Sequence, residues 1–103
     1  MSGVESVPAT LTLDLAHHRL VKLEVRDHGH NHTFVTEHQG DGVSIPAMLL
    51  HHPGGQYEGT HPFHLRAFGE HLSLEIGGPE DARVVGMGMR VPPIFEVGSG
   101  RWI

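Results

Sequence analysis

The 103-residue chain contains no cysteine, which excludes disulfides, thiolate metal sites and cysteine nucleophiles. It also lacks an apolar run of the roughly 20 residues that a membrane-spanning helix needs. Its N-terminus has no basic segment followed by an apolar one. We therefore expect no signal peptide, no transmembrane segment and no membrane contact. The expected location is the cytoplasm, or an assembled particle such as a virion.

Positive charge is scarce. Lys and Arg together number seven against twelve Asp and Glu, and the formal net charge is −5 with histidine neutral. The seven cations are scattered and form no basic patch, so we expect no binding to nucleic acid. Histidine, in contrast, occurs eleven times. Because unperturbed imidazole titrates near pH ~6.5, full protonation in acid would turn the net charge of −5 into +6.

Fourteen glycines and seven prolines divide the chain into short apolar segments. Residues 10–15 and 20–26 alternate apolar and polar side chains, which predicts two half-buried strands joined through residues 16–19. In that connection we expect His17 and His18 to be solvated turn residues. Further strands are predicted at residues 31–38, 43–50, 63–68, 71–76, 82–91 and 94–97. The pattern predicts one all-β domain over residues 1–103, a small barrel or sandwich of about eight short antiparallel strands.

The connections between these strands carry their own signals. Gly29 is compatible with a β-bulge, the sequence QGDG at 39–42 predicts a tight hairpin turn, and Pro92-Pro93 predicts another turn. Pro46 restricts its strand to an edge or a bulge position. Trp102 is expected either to cap the end of the core or to be exposed as a contact.

The sequence DHGHNHTFVTEH at 27–38 is the most informative stretch. His28, His30 and His32 are spaced by two, so a strand would present all three imidazoles on one face. The same alternation continues through the later side chains of the row, which are Phe34, Thr36 and His38. Two interpretations of such a row remain open: a face that ligates a metal, and a solvated or hydrogen-bonded polar face.

A strand rises ~3.3 Å per residue, so the Cα atoms of His30 and His32 would lie ~6.6 Å apart, close enough to share one ion. Further ligands must come from other parts of the chain, and zinc accepts histidine nitrogen and carboxylate oxygen. In the absence of thiolate the candidate ions are Zn, Ni, Cu and Fe. The predicted ligand set is His28, His30, His32, Glu37, His61 and His64.

The order His30, His32, Glu37, then the run Pro-Gly-Gly at 53–55 and His61, resembles the two cupin motifs. Cupins are small β-barrels that hold a metal through two histidines, a glutamate and a later histidine. The resemblance covers residues 30–61. It implies a metalloenzyme in which His30, His32, Glu37 and His61 bind the ion.

Three functions remain open from the sequence. The leading hypothesis is a small histidine-rich β-domain that binds a divalent transition metal for structural or binding purposes. A second is a non-enzymatic assembly module of a larger homo- or hetero-oligomeric particle, which would dock on a protein partner or a second copy by strand addition or symmetric packing. The third is the cupin-like metalloenzyme. The sequence contains no nucleophile elbow and no phosphate-binding loop, which makes an enzyme the less expected outcome.

Overall fold

The computed structural model of the protein describes residues 5–51, 57–77, 82–88 and 90–103. All the regular structure in these residues is β-strand, which confirms the all-β prediction, and none of it is a helix long and apolar enough to cross a bilayer. The strands are β1 (Glu5–Asp14), β2 (Arg19–Asp27), β3 (His30–Thr36), β4 (Val43–His51), β5 (Thr60–Gly69), β6 (His71–Ile76), β7 (Ala82–Gly86) and β8 (Val91–Trp102).

The eight strands form a closed antiparallel barrel in the order β1-β2-β3-β8-β5-β6-β7-β4. This ring consists of two Greek keys. In the first, β1, β2 and β3 form a meander and β4 returns beside β1; in the second, β5, β6 and β7 form the meander and β8 returns beside β5. Of the two alternatives in the sequence prediction, the structure therefore selects the barrel.

The core lies inside the ring because alternate side chains of each strand are apolar and point inward. In β8 two of these inward positions are glycines. A Cβ at Gly100 would lie 2.6 Å from Cε2 of Phe34, and a Cβ at Gly98 would lie 2.9 Å from Cε2 of Phe63. The two glycines therefore provide the space that the two rings occupy.

β2 and β3 are joined by a two-residue turn instead of the bulge expected at Gly29. Asp27 pairs with His30, and the two residues between them have positive φ angles, 52° at His28 and 80° at Gly29. Positive φ at both central residues is the requirement of a type I′ hairpin turn, whose twist matches that of the flanking strands. The turn starts β3 at residue 30, and β3 ends at residue 36 instead of 38.

Residues 37–42 do not form the predicted hairpin turn, because β3 and β4 are separated in the ring by β2 and β1. The segment instead connects across the end of the β1–β2 hairpin. Gly42 packs so closely there that a Cβ would lie 2.5 Å from the carbonyl oxygen of Leu13. This path brings the start of the connection close to the end of β1.

The prolines and the tryptophan occupy defined positions in the ring. The prediction of an edge or bulge position for Pro46 is wrong, since β4 lies between β1 and β7 and Pro46 pairs in regular register with Thr10. Its missing N–H is tolerated one residue before Ala47, where the pairing of β4 with β7 begins. The prediction of a turn at Pro92-Pro93 is wrong, since both prolines lie inside β8. Trp102 caps the core: it is only 8% exposed and meets the edge of Phe34 at a centroid distance of 5.2 Å.

Candidate metal centre

Asp14 is the last residue of β1, and the turn that follows it folds back onto its carboxylate. The backbone N–H of His17 donates to Oδ1 of Asp14 at 3.1 Å, and Nδ1 of the same histidine lies 2.8 Å from Oδ2. His18, with a φ of 54°, completes the reversal before Arg19 pairs with Asp14. The turn therefore holds one imidazole against the carboxylate through two hydrogen bonds.

The second imidazole reaches Asp14 from the connection after β3. The hydroxyl of Thr36 donates to the carbonyl of Leu20 at 2.8 Å, and it accepts from the backbone N–H of His38 at 3.2 Å. These contacts direct the chain back toward the β1–β2 turn as soon as β3 ends. Nε2 of His38 then lies 2.8 Å from Oδ2 of Asp14.

Asp14, His17 and His38, which we call the Asp14 cluster, are close enough together to bind one metal ion. One ligand atom from each lies within 4.8 Å of the others, and no other group of three such side chains does so within the described part of the chain. The carboxylate is mostly buried, with 14% of its side chain exposed, whereas His17 is 69% exposed. The cluster therefore opens to solvent on its histidine side.

The hydrogen bond from His38, and next in size that from His17, holds the pKa of Asp14 well below its usual range. The carboxylate is therefore ionised at neutral pH and acts only as an acceptor. Each ring nitrogen that faces it must carry a proton. That requirement fixes the tautomers of the neutral rings, with the proton on Nδ1 of His17 and on Nε2 of His38.

Two imidazole nitrogens and one carboxylate oxygen are a donor set that zinc and other divalent transition metals accept. Around tetrahedral zinc, with bonds of ~2.0–2.1 Å, neighbouring ligand atoms are about 3.3 Å apart. Both N–O distances in the Asp14 cluster are 2.8 Å. An entering ion would therefore replace two hydrogen-bond protons and displace each ring outward by about half an ångström.

A second carboxylate lies at the far end of β2. Asp27 accepts a hydrogen bond at 2.7 Å from the hydroxyl of Tyr57 and lies 2.8 Å from Nδ1 of His28. Tyr57 stacks on His32 at a centroid distance of 4.0 Å and meets Trp102 edge-on at 5.0 Å. We call these five residues the Asp27 cluster.

The three histidines of the predicted row are not equivalent. His28 lies in the turn, and its ring pairs with Asp27. His30 and His32 share a face with buried Phe34 by strand alternation, but His30 is exposed and His32 stacks on Tyr57. The row therefore continues the inner face of the barrel to its end.

The other three predicted ligands lie apart from this row. Glu37 is exposed just after β3. Nε2 of His61 bonds to the carbonyl of Glu58 at 2.7 Å, and Nε2 of His64 accepts from Nε of Arg66 at 3.3 Å.

The structure does not gather His28, His30, His32, Glu37, His61 and His64 into a three-ligand group. Metal binding by that set stays a prediction. The glycines of the cupin-like pattern, at 54 and 55, lie outside the described residues.

Sequence reasoning did not select Asp14, and it assigned His17 to solvent. The signal that could have found them is the spacing Asp14-x-x-His17 at the junction of a strand and a turn, where an aspartate commonly binds the backbone and side chain three residues on. His38 was placed in the row but belongs to the Asp14 cluster, because β3 ends two residues before it.

No protein-family model, no curated protein and no solved structure matches this chain.

Proposed function

We propose that the protein binds a divalent transition metal ion through the Asp14 cluster. The observation that carries this proposal is the convergence of Nδ1 of His17 and Nε2 of His38 on the same carboxylate oxygen, each at 2.8 Å. Asp14 and His17 lie at the end of β1 and in the turn that follows it, whereas His38 lies 24 positions after Asp14 in a separate connection.

Binding would proceed by exchange of protons for the ion. The carboxylate is already ionised, so only the imidazole nitrogens have to give up the protons that face it. A neutral ring can move its proton to its other nitrogen, whereas a cationic ring must release one. Metal affinity is therefore expected to rise with pH, because the ligating form of imidazole is unprotonated.

A bound ion would serve a structural or binding purpose by cross-linking two segments. Asp14 and His17 belong to the β1–β2 hairpin, whereas His38 belongs to the connection that leads to β4. Binding to the folded state alone stabilises it by mass action, about 2.7 kcal/mol when free metal is 100 times the dissociation constant. Zn²⁺ is a suitable probe because it accepts both donor types without a redox step.

Isothermal titration of the untagged protein with Zn²⁺ tests the proposal. We expect one ion per chain with a dissociation constant in the micromolar range or below, and loss of at least ~100-fold in affinity in the double variant His17→Gln/His38→Gln. The matched control is His71→Gln, which removes an exposed imidazole at the start of β6 and should titrate like the wild type.

Circular dichroism of each variant separates loss of ligands from loss of fold. A folded double variant that still binds zinc with wild-type affinity would assign the ion to other histidines. Zinc binding weaker than millimolar in the wild type would end the proposal.

The second candidate function, a protein-interaction module, is favoured by the outer surface of β5 and β8. Phe95 and Val97 are 72% and 76% exposed on adjacent outward positions of β8, and Phe68 of β5 is also exposed. Large exposed apolar side chains that lie together are typical of docking sites. Because the ring of strands is closed, we propose that a second copy would pack against this face instead of adding a strand.

Sedimentation velocity over a range of concentrations tests self-association. We expect a dimer that dissociates in the variant Val97→Lys, while Arg101→Lys, at another outward position of β8, should leave it unchanged. A wild-type protein that stays monomeric up to millimolar concentration would contradict this second function.

A further inference from the structure

A cleft of about 600 Å³ opens beside the Asp14 cluster. His17 and His38 both line it, whereas Asp14 does not. The carboxylate therefore lies behind the two rings as seen from the cleft. An ion held by the three side chains would have its remaining coordination positions on the cleft side.

The other walls of the cleft include one permanent cation and two exposed apolar side chains. Arg19 supplies the cation, and among the described residues no carboxylate lies within ion-pair distance of it. Phe95 and Val97 supply apolar surface that is mostly exposed. The lining is more polar than apolar, and the volume of the cleft is within the size range of small-molecule sites.

Two further acids line the cleft, and their positions limit their effect on an anion. Glu96 uses Oε1 to accept the backbone N–H of Leu20 at 2.7 Å, which ties this carboxylate to β2. Glu37 is exposed, so solvent screens its charge. The charges of the metal ion and Arg19 are balanced by those of Asp14, Glu37 and Glu96, so an anion would be held by direct coordination to the ion and by contact with Arg19, and not by net charge.

We propose that this cleft binds an organic carboxylate that carries an apolar or aromatic group. Its carboxylate would occupy the open coordination positions of the ion, with Arg19 adding attraction, and its apolar group would lie against Phe95 and Val97. This inference rests on the proposed metal site. The same chemistry is offered by a free small acid and by the C-terminus of a peptide that ends in an aromatic residue.

The test uses the full chain loaded with Co²⁺, whose visible absorption reports changes in coordination. Phenylacetate is the free-acid probe, and an acetylated dipeptide ending in phenylalanine with a free carboxylate is the peptide probe. We expect at least one of them to change the cobalt spectrum with saturation, and to bind the metal-free protein at least ~10-fold more weakly. The probe that binds more tightly identifies the source.

Two comparisons assign the binding to the groups named. Phenylacetamide, which lacks the anionic oxygen, should bind at least ~10-fold more weakly than phenylacetate. Arg19→Gln should weaken phenylacetate binding about 5-fold without changing cobalt affinity, whereas Arg83→Gln on β7, outside the cleft, should change neither.

The outcomes separate the two proposals. Tight cobalt binding with no spectral response to either probe up to about 10 mM overturns the ligand proposal and leaves the metal site standing. Equal binding of phenylacetate to the metal-free protein also overturns it. Failure of cobalt itself to bind overturns both.

Discussion

The Asp14 cluster and the Asp27 cluster lie at opposite ends of β2, and each contains an aspartate paired with a histidine. At each end an aspartate that closes a strand binds a histidine in the adjoining turn, His17 at the Asp14 cluster and His28 at the Asp27 cluster. With nine residues in β2, the two ends are about 26 Å apart. The difference lies in what else reaches each carboxylate: a second imidazole in one case and a tyrosine hydroxyl in the other.

That difference separates a ligand set from a structural cap. The second imidazole gives Asp14 two nitrogen donors beside an open cleft, which is a chemistry suited to an ion. At the other end Tyr57 inserts its ring between His32 and Trp102, so the polar contact to Asp27 fixes an aromatic stack over the end of the core. The two clusters share a carboxylate–histidine pair and differ in the further group at the carboxylate, which is an imidazole at Asp14 and a tyrosine hydroxyl at Asp27.

The largest effect is expected on the free energy of unfolding when the aromatic stack of the Asp27 cluster is removed. Trp102→Ala removes a nearly buried indole from the stack and should lower the free energy of unfolding by about 3–5 kcal/mol. Phe95→Ala, an exposed aromatic on the same strand, should change it by less than about 0.5 kcal/mol. Urea unfolding measures both. Equal effects of the two substitutions would show that the stack contributes no more than a surface ring.

The next largest effect is expected on the affinity for Zn²⁺. Asp14→Asn removes the carboxylate charge from the ligand set and should weaken Zn²⁺ binding about 100-fold or more, whereas Asp27→Asn should change it less than about 2-fold. Calorimetric titration at constant pH measures the two affinities. If Asp27→Asn weakens Zn²⁺ binding strongly and Asp14→Asn does not, the ion is bound at the Asp27 cluster and the assignment of the two ends must be reversed.

The same residues show which parts of the fold and of the candidate site the sequence could predict. Strand alternation at 10–15 and 20–26 predicted β1 and β2, because burying one face requires that period. It could not predict that residues 37–42 cross the end of a hairpin, since ring order depends on long-range pairing and not on local pattern. His38 was therefore assigned to a strand face, and its partner Asp14, 24 positions away in sequence, was missed.

A smaller effect distinguishes the two ends by their hydroxyl and imidazole contacts. Tyr57→Phe removes the hydrogen bond to Asp27 while keeping the stacked ring, and should cost about 1 kcal/mol of stability. His17→Ala removes a side chain that is mostly exposed and should cost less than about 0.5 kcal/mol without metal. Thermal unfolding in the presence of a chelator measures both. A larger loss for His17→Ala would mean that the Asp14 cluster is itself a structural cap.

The smallest effect is the pH dependence that Asp14 confers on the metal-free protein. Hydrogen bonds from His38 and His17 lower its pKa in the folded state, so the folded state favours the ionised carboxylate. The stability that the ionised Asp14 carboxylate contributes is therefore fully present above the pKa of this carboxyl in the unfolded chain, near 3.8. This contribution is lost as the pH falls below that value. The stability difference between the wild type and Asp14→Asn should shrink as the pH falls from about 4 to 2. A difference that stays constant down to pH 2 would mean that the two imidazoles do not stabilise the charged carboxylate, which would remove the electrostatic contrast between the two ends.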